Sequence, residues 1–158
     1  MYIARMINDN GNETDSVKNA PPSGLSGNHI LLVDDVETNR MIIKVLLAKT
    51  DIVIDEAGNG EEALDIFAKS PEGYYDAVLM DIQMPGIDGY ETTRRLRGLP
   101  RQDAAKTPVI AMTADAYEDM EESVRTEMNG YLAKPVDINE MKKLLFSLRQ
   151  ASRASRGD

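Results

Sequence analysis

Four segments of the chain place reactive polar side chains directly after a short apolar run. Asp34 and Asp35 follow the first run, and Asp81 follows the second. Thr113 and Lys134 close two further runs. Because a short apolar run stopped by a polar residue is typical of a buried strand, each of these residues is predicted at a strand end. In an open α/β sheet the carboxyl ends of parallel strands form the edge at which ligands bind.

The residue types at these strand ends favour metal-assisted phosphoryl transfer. Three carboxylates in one crevice repel one another, so one must hold a proton unless a cation lies among them. A site of oxygen ligands suits Mg²⁺, which binds through one or two carboxylates and keeps several waters. Asp81, bound to such a metal and therefore deprotonated at neutral pH, could attack phosphorus and form an acyl phosphate. Lys134 would neutralise phosphoryl charge and Thr113 would donate a hydrogen bond.

The elements that would position these residues alternate between strand and helix. Apolar or β-branched runs predict five strands, at 30–33, 52–54, 77–80, 107–112 and 130–133. Helical spacing predicts five helices, at 38–49, from 60 onward, at 89–99, at 115–128 and after 137. This alternation implies a parallel sheet with right-handed crossovers, and hence a doubly wound α/β domain.

Three of the predicted helices carry features that can be checked directly. The apolar face of the first is predicted to contain Ile42, Val45 and Leu46. The basic cluster of the third, interpreted as a solvated face, consists of Arg94, Arg95 and Arg97. Asp137 and Glu140 have capping-box spacing and predict the start of the last helix.

Length and composition predict one domain with short flanking segments. A chain of 158 residues can form one ordinary domain, at 29–150. Residues 1–28, rich in Asn, Ser, Gly and Pro, are predicted to be a disordered leader or linker, and 151–158 a flexible tail. The chain has no cysteine, which excludes disulfides and thiolate metal sites. It shows no membrane-spanning run, so we expect a cytoplasmic protein without membrane insertion.

The formal net charge of −9 argues against direct binding of nucleic acid. Residues 29–148 hold 13 basic and 23 acidic side chains, so the predicted domain carries the negative charge. Such a body repels phosphate backbones.

Four of these segments together resemble the receiver domain of two-component response regulators. They are Ile30–Asp35, Met80–Gly89, Met112–Ala114 and Tyr131–Pro135, each at a predicted strand end. Residues 35–40 and 80–89 are most similar to receivers attached to hybrid histidine kinases. The resemblance covers about residues 29–150 and implies a flavodoxin-like (βα)5 fold with strand order 2-1-3-4-5.

The resemblance also implies a role for each acidic residue. Asp81 would be the phosphoacceptor and Asp35 a direct ligand of Mg²⁺. Asp34 would hold a metal-bound water, and the backbone carbonyl of Gln83 would complete the protein ligands.

A conformational switch is implied by the same resemblance. Lys134 would pair with the phosphoryl group across a cis peptide to Pro135. Thr113 would move toward the phosphate, and the ring of Tyr131 would rotate inward behind it. The switch would bias the surface of the predicted fourth helix, fifth strand and fifth helix. The chain departs from the family where the fourth helix should end in a glycine, since 126–129 contains none.

These roles imply partners on two sides of a phosphorelay. His29, the only histidine, lies at a strand entrance, so a histidine kinase or histidine phosphotransfer protein would donate the phosphoryl group in trans. A downstream protein would bind the switch surface. The chain would be a signalling receiver that promotes its own phosphorylation and dephosphorylation rather than an enzyme.

Two other functions stay open from the residues alone. An aspartyl-phosphate phosphatase of the haloacid-dehalogenase kind also uses a strand-end Asp, a Thr and a Lys, but wants a second Asp where Gln83 stands. The other alternative is a receiver-like docking module that is never phosphorylated.

Overall fold

The computed structural model describes residues 28–114 and 127–155. The first half contains β1 (His29–Val33), α1 (Glu37–Leu46), β2 (Val53–Ala57), α2 (Gly60–Lys69) and β3 (Ala77–Asp81). The second contains α3 (Gly89–Arg97), a 3₁₀ helix (Gln102–Ala105), β4 (Val109–Thr113), β5 (Gly130–Ala133) and α4 (Ile138–Ser155). Within the described ranges, no helix is both long and apolar enough to cross a membrane.

The five strands form one parallel sheet in the order β2-β1-β3-β4-β5, which confirms the predicted flavodoxin-like topology. Val33 pairs with Met80, Asp81 with Met112, and Thr113 with Ala133. The carboxyl ends of β1, β3, β4 and β5 therefore lie level with one another. This alignment brings the polar residues at the strand ends to a single edge.

Helices cover both faces of the sheet, so β1, β3 and β4 are buried on both sides. Successive side chains of a strand point to opposite faces. Ile30 and Leu32 of β1 accordingly pack with Ile43 of α1 and Met141 of α4, whereas Leu31 and Val33 pack with Phe67 of α2 and Leu96 of α3. The continuous apolar runs in the sequence reflect this two-sided burial.

The predicted apolar face of α1 is wrong. The buried residues at this helix are Ile43 and Leu47, whereas Ile42 and Val45 are 56% and 68% exposed. Leu46 is also exposed. Two sets of apolar residues have helical spacing here and are offset by one residue: Ile42 with Leu46, and Ile43 with Leu47. The spacing alone does not show which set packs against the sheet.

The predicted solvated basic face of α3 holds for Arg94 and Arg95 and is wrong for Arg97. Arg94 and Arg95 form exposed ion pairs with Glu91. Arg97 turns inward, and burial lowers the pKa of its guanidinium. It donates to the carbonyl oxygens of Ala104, Thr107 and Glu127 and to the side chain of Asn129. Arg97 thus satisfies the Glu127 carbonyl, close to where the family resemblance implies a glycine.

Side chains cap the starts of α2 and α4. The Asn59 side chain accepts a hydrogen bond from the N–H of Glu62 and caps α2. Asp137 accepts from the N–H groups of Asn139 and Glu140, which confirms the predicted start of α4.

The ends of several elements differ from the predicted bounds. Strand β2 runs from Val53 to Ala57 instead of 52–54, and α4 continues to Ser155, within the predicted tail. The predicted leader, apart from Asn28, lies outside the described residues. So do residues 156–158 and nearly all of the predicted helix at 115–128.

Candidate functional site

Three carboxylates meet at the carboxyl edge of the sheet. Asp81 is the last residue of β3, and Asp34 and Asp35 follow the adjacent strand β1. One carboxylate oxygen from each residue lies within 4.8 Å of the other two. Asp34 and Asp81 are buried, whereas Asp35 is exposed. The structure therefore brings together the acidic cluster that the sequence predicts.

Asp34 is held by hydrogen bonds at all but one of its polar atoms. Its N–H donates to the carbonyl oxygen of Ala57 at 3.1 Å, and its Oδ1 accepts from the N–H of Val36 at 2.8 Å. Its carbonyl oxygen accepts from Nη1 of Arg40 at 2.6 Å. Oδ2 is buried without a hydrogen bond. Since a buried carboxylate oxygen without a hydrogen bond is unfavourable, this atom suits a cation placed among the three carboxylates.

Lys134 supplies the positive charge of the site. It directly follows β5, and its N–H donates to the carbonyl oxygen of Thr113. Its Nζ lies 2.9 Å from Oδ1 of Asp81 and 3.7 Å from Oδ2 of Asp34. The peptide between Lys134 and Pro135 is cis, as the resemblance implies. One ammonium group therefore faces three carboxylates, which leaves the cluster with excess negative charge.

The electrostatic balance at Asp81 favours binding of a cation or a proton. Burial raises the pKa of its carboxyl group, and the charge of Asp34 raises it further. The ammonium of Lys134 and the N–H of Gln83 act in the opposite direction without cancelling the rise in pKa. The donor set is all oxygen, crowded and incompletely neutralised, and these are properties that fit Mg²⁺.

The remaining predicted site residues lie around this cluster. Thr113 is the buried last residue of β4, next to β3. Tyr131 of β5 is 41% exposed. Gln83 lies just beyond β3, and its N–H donates to Oδ1 of Asp81 at 3.3 Å. The predicted roles of these three residues stay predictions.

A glycine at the start of α3 lets the loop after Asp81 close tightly. The N–H of Gly89 donates to the carbonyl oxygen of Ile82 at 2.9 Å. A Cβ atom at position 89 would overlap the carbonyl oxygen of Asp81 and lie 2.8 Å from Cα of Ile82. The side chain of Asp88 caps the helix by accepting from the N–H of Glu91. The loop that carries Asp81 is thereby packed directly against α3.

An apolar groove of about 430 Å³ opens beside the carboxylates. One wall is α1, with Ile42, Ile43 and Leu46, and the other includes Lys134 and Val136. Ile42 and Leu46, which sequence spacing assigned to the core, thus form part of the surface next to the site.

Arg40 is the site residue to which the sequence reasoning assigned no role. Its guanidinium reaches from α1 to the backbone of Asp34 and also donates from Nε to Oε1 of Glu56 at 3.0 Å. The available signal was its position, one turn into the helix that follows the acidic pair. Side chains of a helix lean toward its N-terminus, which directs such a residue back to the strand end.

Comparison with known proteins gives one family. The family model described as "Response regulator receiver domain" matches residues 30–146 of this chain. The chain is 34% identical over 125 residues to probable histidine kinase 2 of Oryza sativa, covering 72% of this chain and 12% of that protein. It is 36% identical over 134 residues to hybrid signal transduction histidine kinase E of Dictyostelium discoideum, covering 84% and 8%. The chain thus spans a small part of the length of these curated relatives.

Solved structures show the same similarity. The receiver domain of the sensor histidine kinase PA1611 of Pseudomonas aeruginosa, with magnesium coordinated in its active-site cleft, matches with a TM-score of 0.69 and 32% identity. That match covers 79% of this chain and 99% of the other. The response regulator TrrA of Thermotoga maritima, in complex with Mg²⁺ and BeF, matches with a TM-score of 0.66 and 31% identity, covering 77% and 98%.

Proposed function

The chain belongs to the response-regulator receiver family, and on that premise we propose that Asp81 accepts a phosphoryl group from a phosphohistidine with Mg²⁺ bound beside it. The observation that carries the proposal is the meeting of Asp81 with Lys134 and the carboxylates of Asp34 and Asp35 at one sheet edge. The Mg²⁺-bound receiver of PA1611 supports the choice of metal.

Each group at the edge has a distinct part in the proposed transfer. A carboxylate oxygen of Asp81 attacks phosphorus, and the bond from phosphorus to the histidine nitrogen breaks. Mg²⁺, when bound, neutralises carboxylate charge and stabilises the charge on the phosphoryl oxygens. Asp35 is the proposed direct ligand, with Asp34 acting through water and Gln83 through its carbonyl oxygen.

Lys134 and Thr113 are proposed to hold the transferred group. The ammonium of Lys134 lies 2.9 Å from Asp81 and pairs with a phosphoryl oxygen once Asp81 is phosphorylated. The hydroxyl of Thr113 donates to another phosphoryl oxygen. Thr113 ends β4, which neighbours β3, and Lys134 follows β5, one strand further, and these positions support the proposed contacts.

The phosphoryl donor is proposed to be a histidine kinase or a histidine phosphotransfer protein. His29 begins β1, and the site lies at the other end of that five-residue strand, roughly 15 Å away. The His29 ring is stacked on Tyr74 with 4.4 Å between centroids, which holds it in place. Exposed apolar side chains of α1, including Ile42 and Leu46, line the groove beside the carboxylates and support contact with a protein partner.

The proposed output is a change of surface around β5 and α4. The hydroxyl of Thr113 moves toward the phosphoryl group, and the half-exposed ring of Tyr131 rotates into the space behind it. A downstream protein then distinguishes the two states at this surface. We further propose that the protein acts in the cytoplasm through such protein contacts, without binding nucleic acid directly.

Intact-mass measurement after incubation with acetyl phosphate tests the proposed function. The wild type should gain one phosphoryl group when Mg²⁺ is present and none when it is chelated. Asp81→Asn should gain none, whereas Asp65→Asn, which changes an exposed carboxylate on α2, should behave as the wild type. A folded wild type that binds Mg²⁺ but gains no mass would identify a docking module that is not phosphorylated.

A further inference from the structure

Arg40 connects α1 to β2 and to the loop that carries Asp34 and Asp35. It lies in α1, and its side chain is only 16% exposed. Nη1 donates to the carbonyl oxygen of Asp34 at 2.6 Å, and Nε donates to Glu56 of β2 at 3.0 Å. The planar guanidinium presents several donors in a fixed arrangement, so one side chain fixes both contacts at once.

The carbonyl of Asp34 belongs to the peptide unit that joins the two acidic residues Asp34 and Asp35. The peptide unit is planar, so fixing the C=O of Asp34 also fixes the direction in which Asp35 begins. The N–H and Oδ1 of Asp34 are held by Ala57 and Val36. With Arg40 on the carbonyl oxygen, only Oδ2 of Asp34 is left for an incoming ligand.

Glu56 holds the guanidinium in this position. Its Oε1 pairs with Nε of Arg40, and its Oε2 pairs with Nζ of Lys44 at 2.7 Å. The hydrogen bond from Lys44, together with that from Arg40, lowers the pKa of Glu56, so the carboxylate stays ionised at neutral pH. Arg40 and Lys44 therefore share one partner on the same face of α1. Only Arg40 also hydrogen-bonds to the backbone of Asp34.

We propose that Arg40 is a positioning residue for the Mg²⁺ site: by holding the Asp34 carbonyl it sets the carboxylates of Asp34 and Asp35 in the arrangement that binds the ion. The inference rests on the Mg²⁺ binding in the proposed function. It assigns Arg40 no contact with the metal or with phosphate. Groups that orient metal ligands in this way change metal affinity by about 10- to 100-fold when they are removed.

Isothermal titration calorimetry with MgCl₂ on the whole chain tests this role. The proteins are the wild type, Arg40→Gln and the matched control Lys44→Gln. Each substitution removes one positive charge near the site and one ion pair with Glu56, so the change in charge alone would tighten Mg²⁺ binding in both. We expect Lys44→Gln to bind Mg²⁺ as tightly as the wild type or more tightly. Arg40→Gln should bind about 10-fold more weakly or worse.

Weaker Mg²⁺ binding in Arg40→Gln, with unchanged or tighter binding in Lys44→Gln, distinguishes positioning of the ligands from the loss of a positive charge. Circular dichroism and urea denaturation establish that each variant is folded, and Mg²⁺ affinity is then compared among folded proteins only. Folded Arg40→Gln with wild-type or tighter Mg²⁺ binding would overturn the proposal. Equal weakening in Lys44→Gln would overturn it too, because the ion pair with Glu56 would then be responsible.

A second variant covers the case in which Arg40→Gln does not fold. Arg40→Lys keeps the charge but lacks the planar group that bonds to Glu56 and Asp34 together, so it should also bind Mg²⁺ more weakly. Wild-type affinity in Arg40→Lys would then refute the role. If the wild type binds no Mg²⁺, both the metal site of the proposed function and the role of Arg40 are refuted. If the wild type binds Mg²⁺ and the Arg40 variants bind it with the same affinity, only the role of Arg40 is refuted.

Discussion

Replacing Asp81 with asparagine should stabilise the protein when no divalent cation is present. Asp81 is 2% exposed, and burial, together with the charge of Asp34, raises the pKa of its carboxyl group. A raised pKa means that the ionised carboxylate is less stable in the folded protein than in the unfolded chain. Asparagine is neutral at every pH, so the substitution removes this unfavourable charge and should increase the free energy of unfolding.

The distances in the site set the size of the effect. With an effective dielectric constant of about 20, two carboxylates whose oxygens lie no more than 4.8 Å apart repel by roughly 3.5 kcal/mol or more. Lys134, at 2.9 Å from Asp81, offsets roughly 6 kcal/mol of the repulsion from Asp34 and Asp35. The desolvation of Asp81 comes in addition to the roughly 1 kcal/mol of net repulsion that remains. We therefore expect Asp81→Asn to gain about 2 kcal/mol of stability in the absence of metal.

Urea denaturation followed by far-ultraviolet circular dichroism measures this gain. In the presence of a chelator, Asp81→Asn should unfold at a higher urea concentration than the wild type. In saturating Mg²⁺ the difference should shrink or reverse, because the ion stabilises the wild type that binds it. Asp65→Asn makes the same chemical change at an exposed ion pair with Lys69 and should alter stability by less than about 0.5 kcal/mol.

Two results would refute the electrostatic reasoning. In one, the wild type is as stable as Asp81→Asn, or more stable, when metal is chelated. In the other, Asp81→Asn is more stable by the same amount with and without Mg²⁺, so that charge crowding is not the cause.

Two further predictions concern pH and packing at the same residue. The pKa of Asp81 is higher in the folded than in the unfolded protein, so the folded state takes up the Asp81 proton at a higher pH. In the absence of metal, the stability of the wild type relative to Asp81→Asn should therefore increase as pH falls from neutral toward the ordinary carboxyl pKa of 3.8. A difference in unfolding free energy that does not change with pH would contradict this. Gly89→Ala should cost about 1–3 kcal/mol in urea denaturation, because its Cβ would overlap backbone atoms of Asp81 and Ile82. Gly58→Ala, whose Cβ would be 3.7 Å from its nearest neighbour, should cost far less, and equal losses would disprove the packing argument.

The sheet and its polar edge could be predicted from the chain because the relevant signals are local. Buried parallel strands appear as continuous apolar runs, and each run stops where the chain turns out of the sheet. Asp34, Asp81, Thr113 and Lys134 all lie at or directly after observed strand ends. Once the strands are parallel, their ends must meet at one edge, so the acidic cluster follows from the sequence without knowledge of side-chain positions.

Which side of a helix is buried could not be predicted where two sets of residues compete. Ile42, Val45 and Leu46 have helical spacing, but Ile43 and Leu47 form the buried face of α1. Arg97 belongs to a basic cluster in the sequence, yet it is drawn inward by carbonyl oxygens from residues far along the chain. Successive residues of a helix lie about 100° apart around its axis, so a modest rotation of α1 would bury either set of apolar residues. Only the contacts with the sheet decide which set is buried.

The amino-acid sequence by itself determined the strand runs, the order of the elements and the residue types at the strand ends, since these depend on neighbours in the chain. Only the tertiary structure decided that Arg40 holds the carbonyl of Asp34, that Glu56 of β2 orients Arg40, and that Oδ2 of Asp34 is left without a hydrogen bond. These features depend on distances between side chains of different elements, and such distances exist only after the sheet and helices have packed.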